Sequence, residues 1–499
     1  MSPTEVTWSY LDRRTIVAST LTVAGVCVAA GVPTAIGIAT ASLGWALGTV
    51  IPAAVLIVAG TVVVETIRLR KTRYRVLPDR VELTKGIVVR TRRSVARDRV
   101  RTVDLTAGPL ARYLGIVTVK IDTGEQSEWN SSSFALYAVS RDEGERLRAE
   151  LLDRASAGEA TEEGRLATFD PRWIRYAPLS FVTPTLGVAA YGAVLQVAEW
   201  FGLQNGVITW TIDLLSGFGL VGGIAVVVVV GLVIGLIGSL GLFVEMWWNY
   251  RLDRESAGTL RVRRGLLTSR SISLEEERLR GVELVEPLGV RTAGAARVDA
   301  VATGLRQQKD DDKTDRKTLL PAAPRAEADR VAAAVLREAV PPTSAVRLRA
   351  HPVAARGRRI RWALATVAVP VLTLALLGLL LSVDVLLHLA WICALVGVPI
   401  GVVLAVDAYR NLGHGLTGGY LVARSGTVRR ATVALQRRGV IGWTARQSIF
   451  QRRKGLLNLT ATTAAGTGAY TIYDVGENEG LAFAEEAVPD LFGPFLERR

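Results

Sequence analysis

Cysteine is nearly absent from this chain: Cys27 and Cys393 are the only two, each inside an apolar run. No disulfide framework and no CxxC metal clip can be built from them, and a redox role is excluded with them. Histidine is almost as scarce, and His351, His388 and His414 stand far apart without Cys or carboxylate partners at ligand spacing, so the sequence predicts no metal site. Lysine is rare too, at 7 residues against 53 arginines, a bias that fits an Arg-rich bacterial proteome. There is no glycine-rich phosphate loop, no G-x-S-x-G elbow, no H-E-x-x-H helix and no kinase catalytic loop. The parts of the common enzymes are missing, and neither catalysis nor a cofactor is expected.

Charge is missing locally as well. Between Thr15 and Val64 there is no charged residue, and about 20 apolar residues suffice to cross the roughly 30 Å of bilayer hydrocarbon. The turn-forming stretch from Gly31 to Gly44 divides this run into two crossings. A second run, Tyr176 to Val244, contains only Glu199 and Asp213, close to Asn205 and Gly206; a third, Trp362 to Val406, contains Asp384 and His388. Each polar break reads as the turn of a hairpin, so the sequence predicts six transmembrane helices arranged 2+2+2, at 15–66, 176–248 and 362–407. Because the second apolar segment follows the first so soon, the first is expected to be a retained anchor and not a cleaved signal.

Lys and Arg flank every hairpin and are absent from every hairpin turn. By the positive-inside bias, the N-terminus (1–14), the C-terminus and all intervening segments belong in the cytoplasm of a multi-pass protein of the bacterial plasma membrane. Trp173, Trp247, Trp248 and Trp362 at one set of ends, and Trp45, Trp200 and Trp391 at the other, read as interfacial belts.

The polar segments repeat. Each hairpin is followed by a Tyr-Arg pair (Tyr74-Arg75, Tyr250-Arg251, Tyr409-Arg410) and then by a glycine opening a basic strand: Gly86, Gly265 and Gly426. A second glycine follows 29 positions later each time, at Gly115, Gly294 and Gly455, and Val100, Leu279 and Val440 share a column between them. Period-two alternation, as in Val117, Val119 and Ile121 or Leu457, Leu459 and Ala461, marks half-buried strands. Each unit closes with a helical pattern, such as the stripe Leu147, Leu151, Leu152. The β-rich units are therefore read at 67–154, 249–340 and 408–499, with linkers at 155–175 and 341–361.

A two-helix hairpin followed by Tyr-Arg, a Gly-led basic strand, Arg99-Val100-Arg101, Leu114-Gly115-Ile116 and a Val-x-Ile strand resembles the bacterial pleckstrin-homology (YdbS/YdbT-like) membrane proteins. The third unit carries the likeness through Gly426, Gln436-Arg437, Arg446-Gln447, Gln451-Arg452 and Gly455. The middle unit departs from it, with Glu275, Glu276 and Glu277 in a segment that is basic in its sister and a charged stretch from Lys309 to Lys317. The resemblance implies three pleckstrin-homology-like domains, each a seven-stranded bent sheet or partly open barrel closed by a C-terminal helix, and no enzymatic activity.

Arg68 to Arg101 holds 13 basic residues against Asp79, Glu82 and Asp98, and Ala408 to Tyr473 holds ten basic and no acidic residues. Tethered beside an anionic leaflet, each exposed Lys or Arg gains about 1 kcal/mol. The sequence thus predicts a non-enzymatic membrane scaffold whose modules contact anionic lipid headgroups or partner membrane proteins, in settings such as envelope stress or export. Arg90, Arg92, Arg97, Arg99, Arg429, Arg430 and Arg437 are the expected lipid contacts. A transport or channel component built from the six helices is the alternative. Nucleic-acid binding is not expected, since aromatic residues are not interleaved with the basic strands as stacking platforms.

Overall fold

The computed structural model describes residues 8–39, 42–86, 89–97, 100, 102–122, 134–152, 162–180, 182–255, 258–303, 317–489 and 491. Two compact units divide between Glu276 and Glu277, inside the middle β-rich segment.

The first repeat opens with β1 (Ser9–Tyr10) and the apolar helices α1 (Arg14–Ala39) and α2 (Leu43–Lys71). Strands β2 (Arg73–Val76), β3 (Arg80–Lys85), β4 (Thr91–Ala96) and β5 (Thr102–Ala107) follow, then the short α3 (Pro109–Tyr113), β6 (Ile116–Asp122), β7 (Phe134–Ser140) and α4 (Arg141–Leu152). The second repeat begins with β8 (Glu162–Thr168), which lies in the segment read as a linker. A 3-10 turn at Pro171–Leu179 leads to α5 (Val182–Trp200), α6 (Gln204–Ser216) and α7 (Gly219–Trp247), and then to β9 (Arg251–Glu255), β10 (Thr259–Arg264) and β11 (Ser269–Glu275). Unit 2 starts with β12 (Leu279–Pro287), α8 (Leu288–Thr292), β13 (Ala295–Ala302), β14 (Thr318–Pro324) and α9 (Arg325–Leu336). It continues through α10 (Pro342–Ala345) and the apolar pair α11 (Val353–Leu381) and α12 (Asp384–Arg410). The third repeat ends the chain with β15 (Gly413–Thr417), β16 (Tyr420–Ser425), β17 (Arg429–Gln436), β18 (Val440–Arg446), α13 (Ile449–Arg452), β19 (Leu456–Thr463), β20 (Ala469–Gly476) and α14 (Glu477–Ala487).

Among the described residues, five helices are long and apolar enough to cross a membrane: the Arg14–Ile36 part of α1, α2, the Ala225–Trp247 part of α7, α11 and α12. A sixth candidate exists only if the Pro171–Leu179 turn and α5, bent 71° from each other, are taken as one span. The polar break expected to be a bare turn at Glu199–Asp213 instead contains α6. Val207, Ile208, Trp210, Ile212, Leu214 and Leu215 make the segment apolar enough for a helix, and its 13 residues rise only about 20 Å at 1.5 Å each, short of a crossing. Helices α5 and α7 approach through glycine: a Cβ on Gly187 would lie 2.1 Å from the Gly231 carbonyl oxygen, and one on Gly235 2.0 Å from that of Thr183. Such close backbone approach needs small residues. Two of the expected interfacial tryptophans are buried in protein: Trp173 packs on Tyr250 at 6.1 Å, and Trp247 on Tyr250 at 5.7 Å.

The sheets do not respect repeat boundaries. Unit 1 holds a four-stranded sheet, β1-β2-β3-β4, and a seven-stranded antiparallel sheet ordered β7-β6-β5-β11-β10-β9-β8. Unit 2 holds a six-stranded sheet, β14-β13-β12-β17-β16-β15, and a three-stranded sheet, β18-β19-β20. The seven strands expected within each β-rich unit are six among the described residues (β2–β7, β9–β14 and β15–β20), β1 and β8 being added from before the helices, and the second half of one repeat pairs with the first half of the next. An edge strand presents unpaired N–H and C=O groups that template another strand; β5 meets β11, and β12 meets β17, in this way.

The cores follow the sequence pattern. In the first repeat Tyr74, Val81, Leu83, Val103, Leu105, Val119, Ile121, Leu136, Leu147 and Leu151 pack together. In the third, Leu421, Leu435, Val440, Leu457, Leu459, Ile472 and Phe483 do so. The shared column Val100, Leu279 and Val440 is buried at all three positions.

Candidate anion site at the end of the first hairpin

The paired glycines set the loops. Gly86, Gly265 and Gly426 adopt φ of +134°, +113° and +97°, and a Cβ there would sit 1.9, 1.9 and 2.1 Å from the carbonyl oxygen three residues on. Only glycine fits such a turn. Gly115, Gly294 and Gly455, at φ between +60° and +70°, end the short helices α3, α8 and α13 in the left-handed cap conformation.

Around Gly86 the turn opens a cavity of about 540 Å³, lined by Trp8, Arg70, Lys71, Arg73, Thr84, Gly86 and Arg90. Arg70 and Lys71 belong to the last turn of α2, where positive charge complements the helix C-terminus. Arg73 opens β2 and stacks on the Tyr10 ring at 4.9 Å. No carboxylate lines this cavity among the described residues. The local field is positive enough that Lys85, depressed first by burial, is lowered further by Arg93 and Arg68.

Of the seven arginines expected to meet lipid, the structure brings only Arg90 to this cavity. Arg92 donates to Glu82 at 2.8 Å, and Glu82 also accepts from Arg75 at 2.7 Å. The hydrogen bond from Arg92, joined by Arg75, outweighs burial and holds the Glu82 carboxyl below its usual range. Arg97 donates to the carbonyls of Pro78 and Glu150. Arg99 lies outside the described residues. Arg429 pairs with Glu283 at 3.0 Å, Arg430 is bidentate on Glu286, and Arg437 donates to the carbonyls of Ala487 and Glu486 at the end of α14. Arg92, Arg97, Arg429, Arg430 and Arg437 thus each have a partner within the chain. Arg70, Lys71 and Arg73, which the sequence presented as positive-inside flanks, are the ones that join Arg90; the signal for them was their place in the turn between an apolar helix and the first strand.

Unit 2 contains a second cluster that sequence spacing hid. His351, before α11, and His414, after α12, are 63 positions apart yet their rings meet, with His351 Nε2 3.0 Å from His414 Nδ1. The Tyr473 carbonyl lies 2.8 Å from His351 Nδ1. A carbonyl can only accept, so Nδ1 of His351 carries the proton, His414 Nδ1–H donates to His351 Nε2, and His414 Nε2 is left bare. Its neighbour Glu479 is 3.6 Å away. Both rings are buried; burial holds His414 down at about 3, and burial also lowers His351 against the pull of Tyr473. Beside them, buried Asp474 accepts from Arg358, Arg359 and Gln451, tying the second turn of α11 to β20. No group of three or more metal-ligating side chains occurs among the described residues.

No curated protein and no solved structure matches the chain. The bacterial PH domain family matches residues 20–155 and 364–487, just over half of the chain, while the middle repeat lies outside both matches. Apolar helices followed by two sheets and a closing helix, twice matched, agree in sequence and in architecture: the chain belongs to the bacterial PH domain family.

Proposed function

We propose that this protein is a non-enzymatic plasma-membrane scaffold that holds anionic lipid headgroups at the basic cavity closing its first hairpin. The observation that carries this reading is the position of Arg70 and Lys71. They end an apolar helix long enough to span a bilayer and line, with Arg73 and Arg90, a cavity without a carboxylate among the described residues. Cations at that depth meet headgroup phosphates at about 1 kcal/mol each, and guanidinium forks suit phosphate oxygens. In this reading the helices cross the membrane six times as three hairpins, and the termini and β-rich modules face the cytoplasm. Accessibility reporters at Gly37, Asn205 and Asp384 should then read outside and one at Lys313 inside.

The lipid test uses the full chain purified in mild detergent, with retained lipids measured by native mass spectrometry. Replacing Arg70, Lys71, Arg73 and Arg90 by Gln should deplete retained anionic lipid, with a ceiling of about 4 kcal/mol across the four residues. The loss should shrink as salt rises, because exposed charge is screened over about 8 Å at physiological ionic strength. Equal retention by wild type and variant at low salt would remove this site from the function.

A further inference from the structure

The two composite sheets offer an internal comparison. Gly115 and Gly294 align the second halves of repeats one and two, and Gly265 and Gly426 align the first halves of repeats two and three. In that alignment Ala107 corresponds to Glu286, Ser269 to Arg430 and Arg112 to Arg291, and Arg141 and Arg325 each begin the closing helix. The strand registers agree: Ala107 faces Ser269 across β5–β11, and Glu286 faces Arg430 across β12–β17.

In unit 2 this seam is neutralised from within. Buried Glu286 accepts from Arg325 at 2.8 Å and from Arg430 at 2.8 and 2.7 Å, and Arg291 pairs with Asp407 at 2.8 Å. In unit 1 the corresponding position is Ala107, and a cavity of about 230 Å³ opens beside it. Arg112, Arg141, Arg251, Arg263, Arg264 and Arg270 line it. The single carboxylate among its described lining residues is Glu145, already held by Arg261 at 2.6 and 2.7 Å and by Arg148 at 3.2 Å. Buried Arg263 Nε has no hydrogen-bond partner. Guanidinium groups stay charged at any physiological pH, so this concentration of charge cannot be relieved by deprotonation. An anion entering this cavity would play the part that the Glu286 carboxylate plays in the sister seam. At about 30 Å³ per water, the cavity holds several waters, or one phosphate group with part of its ester.

We propose that the β5–β11 cavity of unit 1 is a binding site for a phosphate-bearing ligand, whose phosphate takes the place that the Glu286 carboxylate occupies in unit 2. The lining arginines come from α3, α4, β9, β10 and β11, and a tetrahedral phosphate offers oxygens to guanidinium forks on more sides than a planar carboxylate does. The cavity lies beside Asn249 and Arg251, just after α7, and Arg264 stacks on Trp247 of that helix at 4.2 Å. The phosphate can therefore belong to a lipid headgroup or to a soluble compound.

Both sources are tested with the full-length protein. Unfolding temperature and calorimetric binding are measured in phospholipid-free detergent with inorganic phosphate and with glycerol 3-phosphate. They are measured again in phosphatidylcholine nanodiscs with and without phosphatidic acid. Wild type should be stabilised by at least one of these probes. Stabilisation by soluble phosphate in detergent assigns a soluble ligand; stabilisation by phosphatidic acid alone assigns a lipid. Ala107→Glu should abolish either response, with at least tenfold weaker binding, while Ala107→Gln, similar in size but uncharged, should lose less. The Arg70, Lys71, Arg73 and Arg90 quadruple Gln variant should retain the part of the response that Ala107→Glu removes, which separates this site from the one at the first hairpin. Should Ala107→Glu fail to fold, Arg112→Gln with Arg141→Gln should weaken the same response at least tenfold. No response of wild type to phosphate, glycerol phosphate or phosphatidic acid would overturn the proposal, and so would equal responses of wild type and these variants.

Discussion

The β5–β11 seam of unit 1 and the β12–β17 seam of unit 2 are built from equivalent strands in equivalent register, yet one closes on an internal ion-pair cluster and the other on a cavity lined with arginine. The difference lies in one facing pair, Glu286 and Arg430 in unit 2 against Ala107 and Ser269 in unit 1. Backbone pairing is satisfied by N–H and C=O groups that every residue but proline carries, so the seam forms whatever its side chains are. Charge balance is a separate requirement, met either by the chain itself or from outside. One family fold can in this way carry a structural arginine cluster and a ligand-ready one a repeat apart.

The largest expected effect comes from unbalancing the neutralised seam. Glu286→Ala leaves Arg325 and Arg430 facing each other without their shared buried carboxylate, and breaking a buried pair from one side costs about 3–5 kcal/mol. Protection of β12 and β17 against hydrogen exchange should collapse accordingly, and added phosphate should restore part of it by making this seam resemble the other. A loss under 1 kcal/mol would mean that the two seams are not balanced in the way described.

A pH titration should separate the units next. All three histidines lie in unit 2, and the folded-state values of His351 and His414 are lowered. The folded state therefore binds fewer protons than the unfolded chain below the ordinary histidine value of about 6.5. Stability from these rings is complete above that value and is lost as pH falls toward about 3 for His414, by up to about 1.4 kcal/mol per pH unit for each ring. Hydrogen exchange, corrected for its intrinsic pH dependence, should show β15 and β20 weakening between pH 7 and 5 while β2 and β3 hold. His414→Gln should flatten the difference, and equal weakening of both units would point away from the histidine pair.

The smallest effect tests whether the repeats are mechanically equivalent. Gly115→Ala and Gly294→Ala each force a Cβ into the left-handed region, at about 1–2 kcal/mol, with open space at Gly294 and only an ordinary 3.5 Å contact with the end of the Arg14 side chain at Gly115. Matching losses in unfolding temperature are expected in the two units. A loss at one glycine and none at the other would break the correspondence on which the seam comparison rests.

Much of this was legible in the sequence, and for a physical reason. Apolar runs such as Thr15 to Val64 declare helices because in hydrocarbon only a helix or a closed barrel satisfies the backbone, and a long run without alternation does not suit barrel strands. Period-two residues such as Val117, Val119 and Ile121 declare strands because alternate side chains leave a sheet on opposite faces. Gly86, Gly265 and Gly426 mark turns because a Cβ would collide with a carbonyl oxygen at each. The second hairpin was less legible: apolar composition does not say where a helix stops, so α6 was read as a turn and Trp173 as an interfacial anchor. The candidate lipid contacts were the least legible. Arg90, Arg92 and Arg430 are alike as sequence, but only the folded chain decides that Arg92 meets Glu82, Arg430 meets Glu286, and Arg90 meets a cavity.

By itself, then, the sequence determined which segments are apolar, where strands and left-handed turns fall, and that three copies of one pattern occupy the chain, because these follow from local sterics and from the hydrophobicity of consecutive residues. Tertiary structure alone decided that half-repeats pair across their boundaries, that His351 and His414 share a hydrogen bond across 63 positions, and that Ala107 leaves a gap where Glu286 fills one. Those outcomes depend on which distant edges and charges come within a few ångströms of each other. No local pattern encodes that distance; it is set by the packing of the whole unit.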